Sequence, residues 1–282
     1  MRKALYKSLF FVLATMFLVA LSGTSALAAK TPAGTPSTLG NDISWPQCGK
    51  KLPSGQAFGI VGVNGGLANT TNNCLSAQLL WANKSTGITS QPKVQLYVNT
   101  ANPGGLGTPS WPTSNVDPSG NVAPNPYGNC DGADSLPCAW QYGWNRAVED
   151  VHIRLIPAAQ TAGMPTNAAN YHWWLDVETD NTWKTGTDGI ASNVADLEGM
   201  VAYLKTTVGA QVGLYSTAYQ WGQIAGTVGL SSNLSGLDSW LAGARTQSSA
   251  KRNCSLPPLT VGGKVILTQY VSGSYDYDHS CV

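Results

Sequence analysis

The sequence predicts an α/β fold, a (β/α) TIM-like barrel that is poor in helix over its last strands. Three observations carry this. Short apolar runs alternate with segments of helical period, the order that builds parallel β-α units. The later runs follow one another with less helix between them. The length left after an N-terminal leader, 282 minus 28 or 254 residues, matches one such barrel at about 250. A doubly wound open sheet is the alternative, but no G-x-G-x-x-G follows the first strand. The glycine-rich "GVNGG" at 62–66 lacks the spacing that cradles a phosphate.

The chain opens with Arg2, Lys3 and Lys7, an apolar run from Leu9 to Leu21, and then Ala26-Leu27-Ala28. That order is a secretory signal peptide with an A-x-A cleavage site, residues 1–28. The run is shorter than the roughly 20 residues a membrane-spanning helix needs, so no stable membrane anchor is expected after cleavage. Residues 29–40, including "KTPAGTPSTLG", have no apolar period and are expected to be a flexible leader. The barrel domain is placed at 41–282.

"NDIS" (41–44) is the first strand and "FGIVGV" (58–63) the second. A helix follows around 74–84, with Leu75, Leu79 and Ala82 on one face. "VQLYVNT" (94–100) is the third strand. Residues 138–162 carry a helical period through Trp140, Trp144, Val148 and Val151. "YHWWLDVE" (171–178) is the fourth strand. Ile190, Val194, Leu197, Val201 and Leu204 recur every three or four residues and predict a helix over 190–206. "QVGLYST" (211–217), "SWLAGA" (239–244) and "KVILTQYV" (264–271) complete the strands. "TAYQWGQIAG" offers only a short helix, and "TQSSAKRNCSLPPLTVGG" offers none. One segment breaks the rhythm: 103–137 is rich in Pro, Gly, Asn and Ser. A loop this long is uncommon in a compact domain. It follows the third strand and is expected at the C-terminal mouth, as a substrate-binding element or a decoration.

Beyond the leader there are 13 Lys+Arg, from 16 less three, against 15 Asp+Glu. With no basic excess to hold a phosphate backbone, nucleic acid is a poor partner. Six cysteines remain, Cys48, Cys74, Cys130, Cys138, Cys254 and Cys281. The even count in an exported chain predicts three disulfides. Among the fifteen pairings, sequence neighbours (48–74, 130–138, 254–281) are favoured because short loops close at low entropic cost. No C-x-x-C occurs and only His152, His172 and His279 are available, so neither a metal site nor a cofactor is expected. Ten Trp and eleven Tyr supply core packing, with a few expected as platforms for sugar rings.

Asp176 and Glu178 stand two apart in the fourth strand and therefore share a face, with Trp174 and His172 behind them. Both would enter the barrel mouth, where barrel enzymes place their chemistry. Burial and a neighbouring carboxylate raise an acid's pKa, which yields a protonated acid beside an ionised partner. Glycosidic cleavage uses that division. Asp42 ends the first strand in "DISWPQ", and "YDYDHS" (275–280) brings Asp276 and Asp278 after the last strand. In a closed barrel these ends are adjacent, so the acids can converge.

These motifs resemble those of family 25 glycoside hydrolases, the bacterial and phage muramidases. "NDISWPQ" resembles the family's D-x-S-x-x-Q opening, "LDVE" its fourth-strand D-x-E, and "LTQYVSGSYDYD" its closing strand with a later Asp; "VGLYST" and "WLAG" match loosely. The resemblance runs in order over 41–282. It implies an incomplete (β/α) barrel that cuts the β-1,4 bond after N-acetylmuramic acid in peptidoglycan. Position by position, it implies Glu178 as general acid/base, Asp176 as the group that orients the acetamido substituent or stabilises ring charge, and Asp42 and Asp278 as supporting acids, with Asp278 preferred to Asp276. The second strand lacks the family's Lys-containing segment and the third lacks its Y-H-F. Tyr97 and Asn99 are therefore placed at the site without inherited roles. Trp45, Trp174 and Tyr215 are the expected sugar platforms. The expectation is a secreted or wall-associated monomer acting on peptidoglycan or a related glycan. A non-catalytic glycan-binding barrel and an enzyme of another glycan are the alternatives.

Overall fold

The computed structural model describes residues 37–105 and 107–282. The expected signal peptide and most of the leader lie outside the described residues. Eight strands close a barrel in sequence order. They are β1 (Leu39–Ile43), β2 (Gly59–Gly62), β3 (Val94–Asn99), β4 (His172–Asp176), β5 (Gln211–Ser216), β6 (Asp238–Ala244), β7 (Val265–Ser272) and β8 (Tyr275–Ser280). Strands β1 to β7 run parallel, while β8 pairs antiparallel with both β7 and β1. The helices are α1 (Leu75–Asn83), α2 (Leu136–Glu149), α3 (Ile156–Ala162), α4 (Gly186–Ala202), α5 (Ala218–Ile224) and α6 (Gln247–Asn253). Among the described residues no helix is long and apolar enough to cross a membrane.

Both faces of the parallel strands are buried, so their sequences run nearly continuously apolar. Val61, Leu96, Val98, Trp173, Leu175 and Leu214 face outward and share one core with Leu79, Val148, Leu155, Leu197 and Val201 of the helical layer. Ile60, Trp174, Tyr215, Trp240 and Leu267 face inward and fill the barrel with Phe58. The helical layer is tightest between α2 and α4. A Cβ added at Gly143 would strike the Asp196 carbonyl, and one at Gly199 the Trp140 carbonyl. Only glycine lets the two helices approach so closely.

The expected helix over 138–162 is continuous but widens into a π-helical stretch at Asp150–Leu155 between α2 and α3. Pro157 follows at once; its ring has no N–H and would collide with the carbonyl four residues back in a regular α-helix. The expected helix over 190–206 likewise begins earlier, at Gly186, and passes into a π-helical stretch at Tyr203–Val208.

Four expectations are corrected. The leader does not extend to residue 40, because Leu39 and Gly40 already pair with His279 and Asp278 in the barrel wall. The segment after β6 does hold a helix, α6. Thr246 caps it by accepting from the Ser249 N–H, and the Ser249 hydroxyl oxygen accepts in return from the Thr246 N–H, a reciprocal cap that stabilises even a short helix. "YDYDHS" is not a tail after the last strand but is itself the closing strand, reached by a turn at 273–274. The long loop does not crown the mouth. Trp111 stacks on Tyr142 of α2 at 5.4 Å, and Tyr127 donates to Glu198 of α4 at 2.6 Å, so the loop is laid along the outer helices. The disulfides join Cys48–Cys74, Cys130–Cys138 and Cys254–Cys281, the neighbour pairing expected from loop closure. The last of these ties β8 to the end of α6.

Candidate active site

The end of β4 is held from both sides. Thr100 donates its hydroxyl to the Asp176 carbonyl at 2.6 Å, and Ser216 donates to the Val177 carbonyl at 2.7 Å. The Trp183 indole donates to the Glu178 carbonyl at 2.8 Å. With the backbone fixed, the two-residue period turns Leu175 and Val177 into the helical layer and leaves Asp176 and Glu178 facing the mouth. A cavity of about 670 Å³ opens there, and Asp42, Asp176, Glu178, Asp180 and Asp276 all line it. Tyr97, Asn99, Tyr215, Trp45, Trp240 and Gln269 complete the parts of its wall that bear on chemistry. Carboxyls from β1, the β4 end and β8 thus meet at one rim.

Within this wall Gln269 bridges two elements. It accepts from the Tyr215 hydroxyl at 2.8 Å and donates to Asp42 at 2.9 Å. Asn99 is set from behind: its backbone N–H donates to the Asn64 side-chain oxygen at 2.7 Å. Asn64 in turn donates to Asp150, which is paired with Arg154. A buried chain of polar contacts therefore runs from the outer helices to the mouth and fixes the backbone at Asn99, while Asn99 Nδ2 and Asp150 Oδ2 are left without a partner.

Trp45 sits on a short turn, Trp45–Gln47, braced where the Ser44 N–H donates to the Gln47 side chain at 2.9 Å. Half of its surface is exposed (50%). A Cβ at Gly66 would strike the indole nitrogen, and Gly66 also has φ of 94°, so glycine is required for the ring to lie where it does.

Two expected residues lie deeper. Trp174 is fully buried, stacked 4.3 Å from His172 and bonded through its indole N–H to Gln95 at 2.8 Å. Its faces are covered, so it floors the barrel and offers no sugar platform. Asp278 has no exposed surface and is absent from the cavity wall, where Asp276 stands instead. The direction of β8 is the reason. Asp276 is in register with Asp42 near the mouth, whereas Asp278 opposes Gly40 one layer down. Asp180, Gln269 and Trp240 line the mouth without having been singled out in the sequence. Asp180 extends the two-residue rhythm of the D-x-E pair into the loop, which was a usable signal. Gln269 stands in the "LTQY" motif itself.

The electrostatics follow from this packing. Among the described residues no Lys, Arg or His lines the cavity. Burial, reinforced by Asp276, pushes Asp42 up to about 8 despite the Gln269 hydrogen bond. Burial raises Asp176 well above the carboxylate range, with Glu178 and Asp42 adding to it. Glu178 is raised by partial burial and then by Asp180 and Asp276. Asp276 is raised by burial, and the hidden Asp278 is raised well above its usual value by burial and by Asp42. So many acids without a cation cannot all ionise at neutral pH.

No family profile and no curated protein matches the sequence. Three solved structures are similar to it. A family 25 glycosyl hydrolase from Bacillus anthracis is 15% identical, with 86% of this chain and 88% of that one covered and a TM-score of 0.49. A bacterial lysozyme from Streptomyces coelicolor is 14% identical, covering 86% and 91% with a TM-score of 0.44. A muramidase from Trichobolus zukalii is 16% identical, covering 86% and 93% with a TM-score of 0.47.

Proposed function

We propose that this chain is a secreted glycoside hydrolase that cleaves β-1,4 bonds in peptidoglycan or a related glycan. The observation that carries the reading is the mouth itself. Acids from three distant parts of the sequence meet around one cavity, and Glu178 is the half-buried one on the better-held strand end. The order of motifs shared with family 25 glycoside hydrolases supports the same reading. Export rests on the signal-like start and on three disulfides, which persist in oxidising compartments.

Glu178 protonates the glycosidic oxygen as the bond to the anomeric carbon breaks. Its pKa is raised by burial and then by Asp180 and Asp276, which favours the protonated form that this step needs. The departing sugar leaves as an alcohol, and positive charge grows on the ring left behind. Asp176, beside Glu178 on the same face, orients the sugar substituent or faces that charge. Asp276 faces the cleft from the opposite wall, in register with Asp42. Water then completes hydrolysis, with the Glu178 carboxylate recovering its proton. Trp45, half exposed at the rim, is the sugar platform.

The test is Glu178→Gln, which keeps shape and removes the transferable proton. Clearing of purified cell-wall suspensions and release of reducing ends are expected to fall by about 10²–10⁴-fold. Wild-type turnover in this variant would refute the assignment of Glu178. Binding of wall glycan by the native protein with no reducing ends released would instead favour a non-catalytic barrel.

A further inference from the structure

Three acids away from the mouth have a cation beside them. On the outer helical layer Glu149 is paired with Arg146 and Arg154, and Asp150 with Arg154; Asp134 is paired with Lys184 in the segments that lead into α2 and α4. At the mouth no described Lys or Arg reaches Asp42, Asp176, Glu178, Asp180 or Asp276, and only Asp42 receives a side-chain hydrogen bond, from Gln269. Three lining side chains are more than nine-tenths buried with a polar atom left over: Asp176 through Oδ1, Asn99 through Nδ2, and Trp240 through its indole N–H, which lies beside Asp278. Buried groups without partners are costly, and cluster at sites where a ligand completes them.

The missing complement is specific in charge. A protonated primary amine brings a positive charge and three N–H donors. An acetamide brings one N–H and no charge. A sugar carboxylate adds one more like charge to a concave wall that already focuses negative potential. Asn99 Nδ2 supplies an orphan amide donor, suited to a ring hydroxyl. We propose that the mouth selects cationic amino-sugar glycans, its preferred ring carrying a free, protonated 2-amino group in place of an N-acetyl group. This deepens the hydrolase reading and rests on it only for the identity of the cleft. The protein is then directed to de-N-acetylated stretches of its glycan, and excluded from uronate polymers.

Calorimetric titration of the full exported chain at low ionic strength and about pH 6, where an amine is protonated, tests this. The probes are the tetramers of glucosamine, N-acetylglucosamine and galacturonate. The glucosamine tetramer is expected to bind at least about tenfold more tightly than the N-acetylated one, a difference of about 1.4 kcal/mol, and the galacturonate tetramer not measurably. The preference should collapse in Asp180→Asn/Asp276→Asn. It should persist in Asp238→Asn, which changes an acid at the far end of β6. Asp180 is exposed, so the single Asp180→Asn variant keeps the test readable if the double one folds poorly. Equal or tighter binding of the N-acetylated tetramer, no binding of the glucosamine tetramer, or a preference untouched by the mouth variants would each overturn the inference. Wall clearing is scored separately. Clearing without the preference refutes the inference alone, and the preference without clearing refutes the hydrolase reading alone.

Discussion

Replacing Asp42 by Asn isolates the electrostatic cost of the mouth. The folded-state pKa of Asp42 is pushed from 3.8 to about 8, first by burial and then by Asp276. Between those values the folded protein holds a proton that the unfolded chain has released. Its contribution to stability is therefore complete below the unfolded pKa and is lost as pH rises toward 8. The slope is about 1.4 kcal/mol per pH unit for one such proton. From about pH 5 to pH 7 the loss assignable to Asp42 is on the order of 2–3 kcal/mol, or roughly 5–10 °C in Tm for a chain of this size. Asn has the same shape, its Oδ1 still accepts from Gln269, and it does not ionise. Urea unfolding of both proteins across this range measures the difference directly. The Asn variant should gain on the wild type at every step upward in pH, by that total amount. Asp176 and Asp278 are raised in the same direction and are present in both proteins, so they steepen both curves and leave the difference to Asp42. Parallel curves, or a wild type that gains on the variant as pH rises, would show that Asp42 is ionised in the folded state and would refute the reasoning.

Other consequences follow from depth. Asp276→Asn, at the cavity wall, should lower wall-clearing turnover at least about tenfold; Asp278→Asn, with no exposed surface, should leave KM unchanged and flatten the stability–pH curve as Asp42→Asn does. Trp45→Ala should raise KM while changing stability by less than about 0.5 kcal/mol. Trp174→Ala, from the filled barrel interior, should cost about 3–5 kcal/mol in denaturant unfolding. Alkylation without reduction should add no mass to the exported protein, and Cys254→Ser/Cys281→Ser should cost about 3.5 kcal/mol on chain-entropy grounds for a separation of 27 residues.

Much of the architecture was legible because local rules and the fold agree. The alternation of strand and helix, the apolar face of α1 through Leu75, Leu79 and Ala82, and the pairing of cysteines by short loops all persist in the structure. Asp176 and Glu178 were legible as mouth residues because side-chain parity in a strand needs no tertiary information. The position of the 103–137 loop was not, because nothing local tells a loop leaving a strand whether to fold over the rim or down the helices. Stacking of Trp111 on Tyr142 is a contact between aromatic residues 31 positions apart, and the sequence shows both residues without showing that they meet.

The choice between Asp276 and Asp278 shows where such reasoning reaches its limit. Parity places both on the inner face of β8, since they are two apart, and so it cannot separate them. Depth separates them, and depth depends on strand direction. In a strand parallel to the others the later residue would stand nearer the mouth, and Asp278 would be the exposed acid. β8 instead returns from β7 through a tight turn at 273–274, so it starts at the rim and descends. Asp276 then faces the cavity opposite Asp42, while Asp278 falls to the layer of Gly40. The turn was visible as Ser272-Gly273-Ser274, a small-residue break between two runs of strand-forming residues, which is a hairpin signal. With 275–280 placed after the last strand and Asp278 taken from the family resemblance, this local signal was left unused. The hairpin also gives Asp278 its character. Tucked beneath Asp42 and beside Trp240, it is raised well above its usual value by burial and then by Asp42. The hairpin thus leaves Asp276 at the rim with Glu178 and Asp180, where a glycan can meet it, and hides Asp278 below.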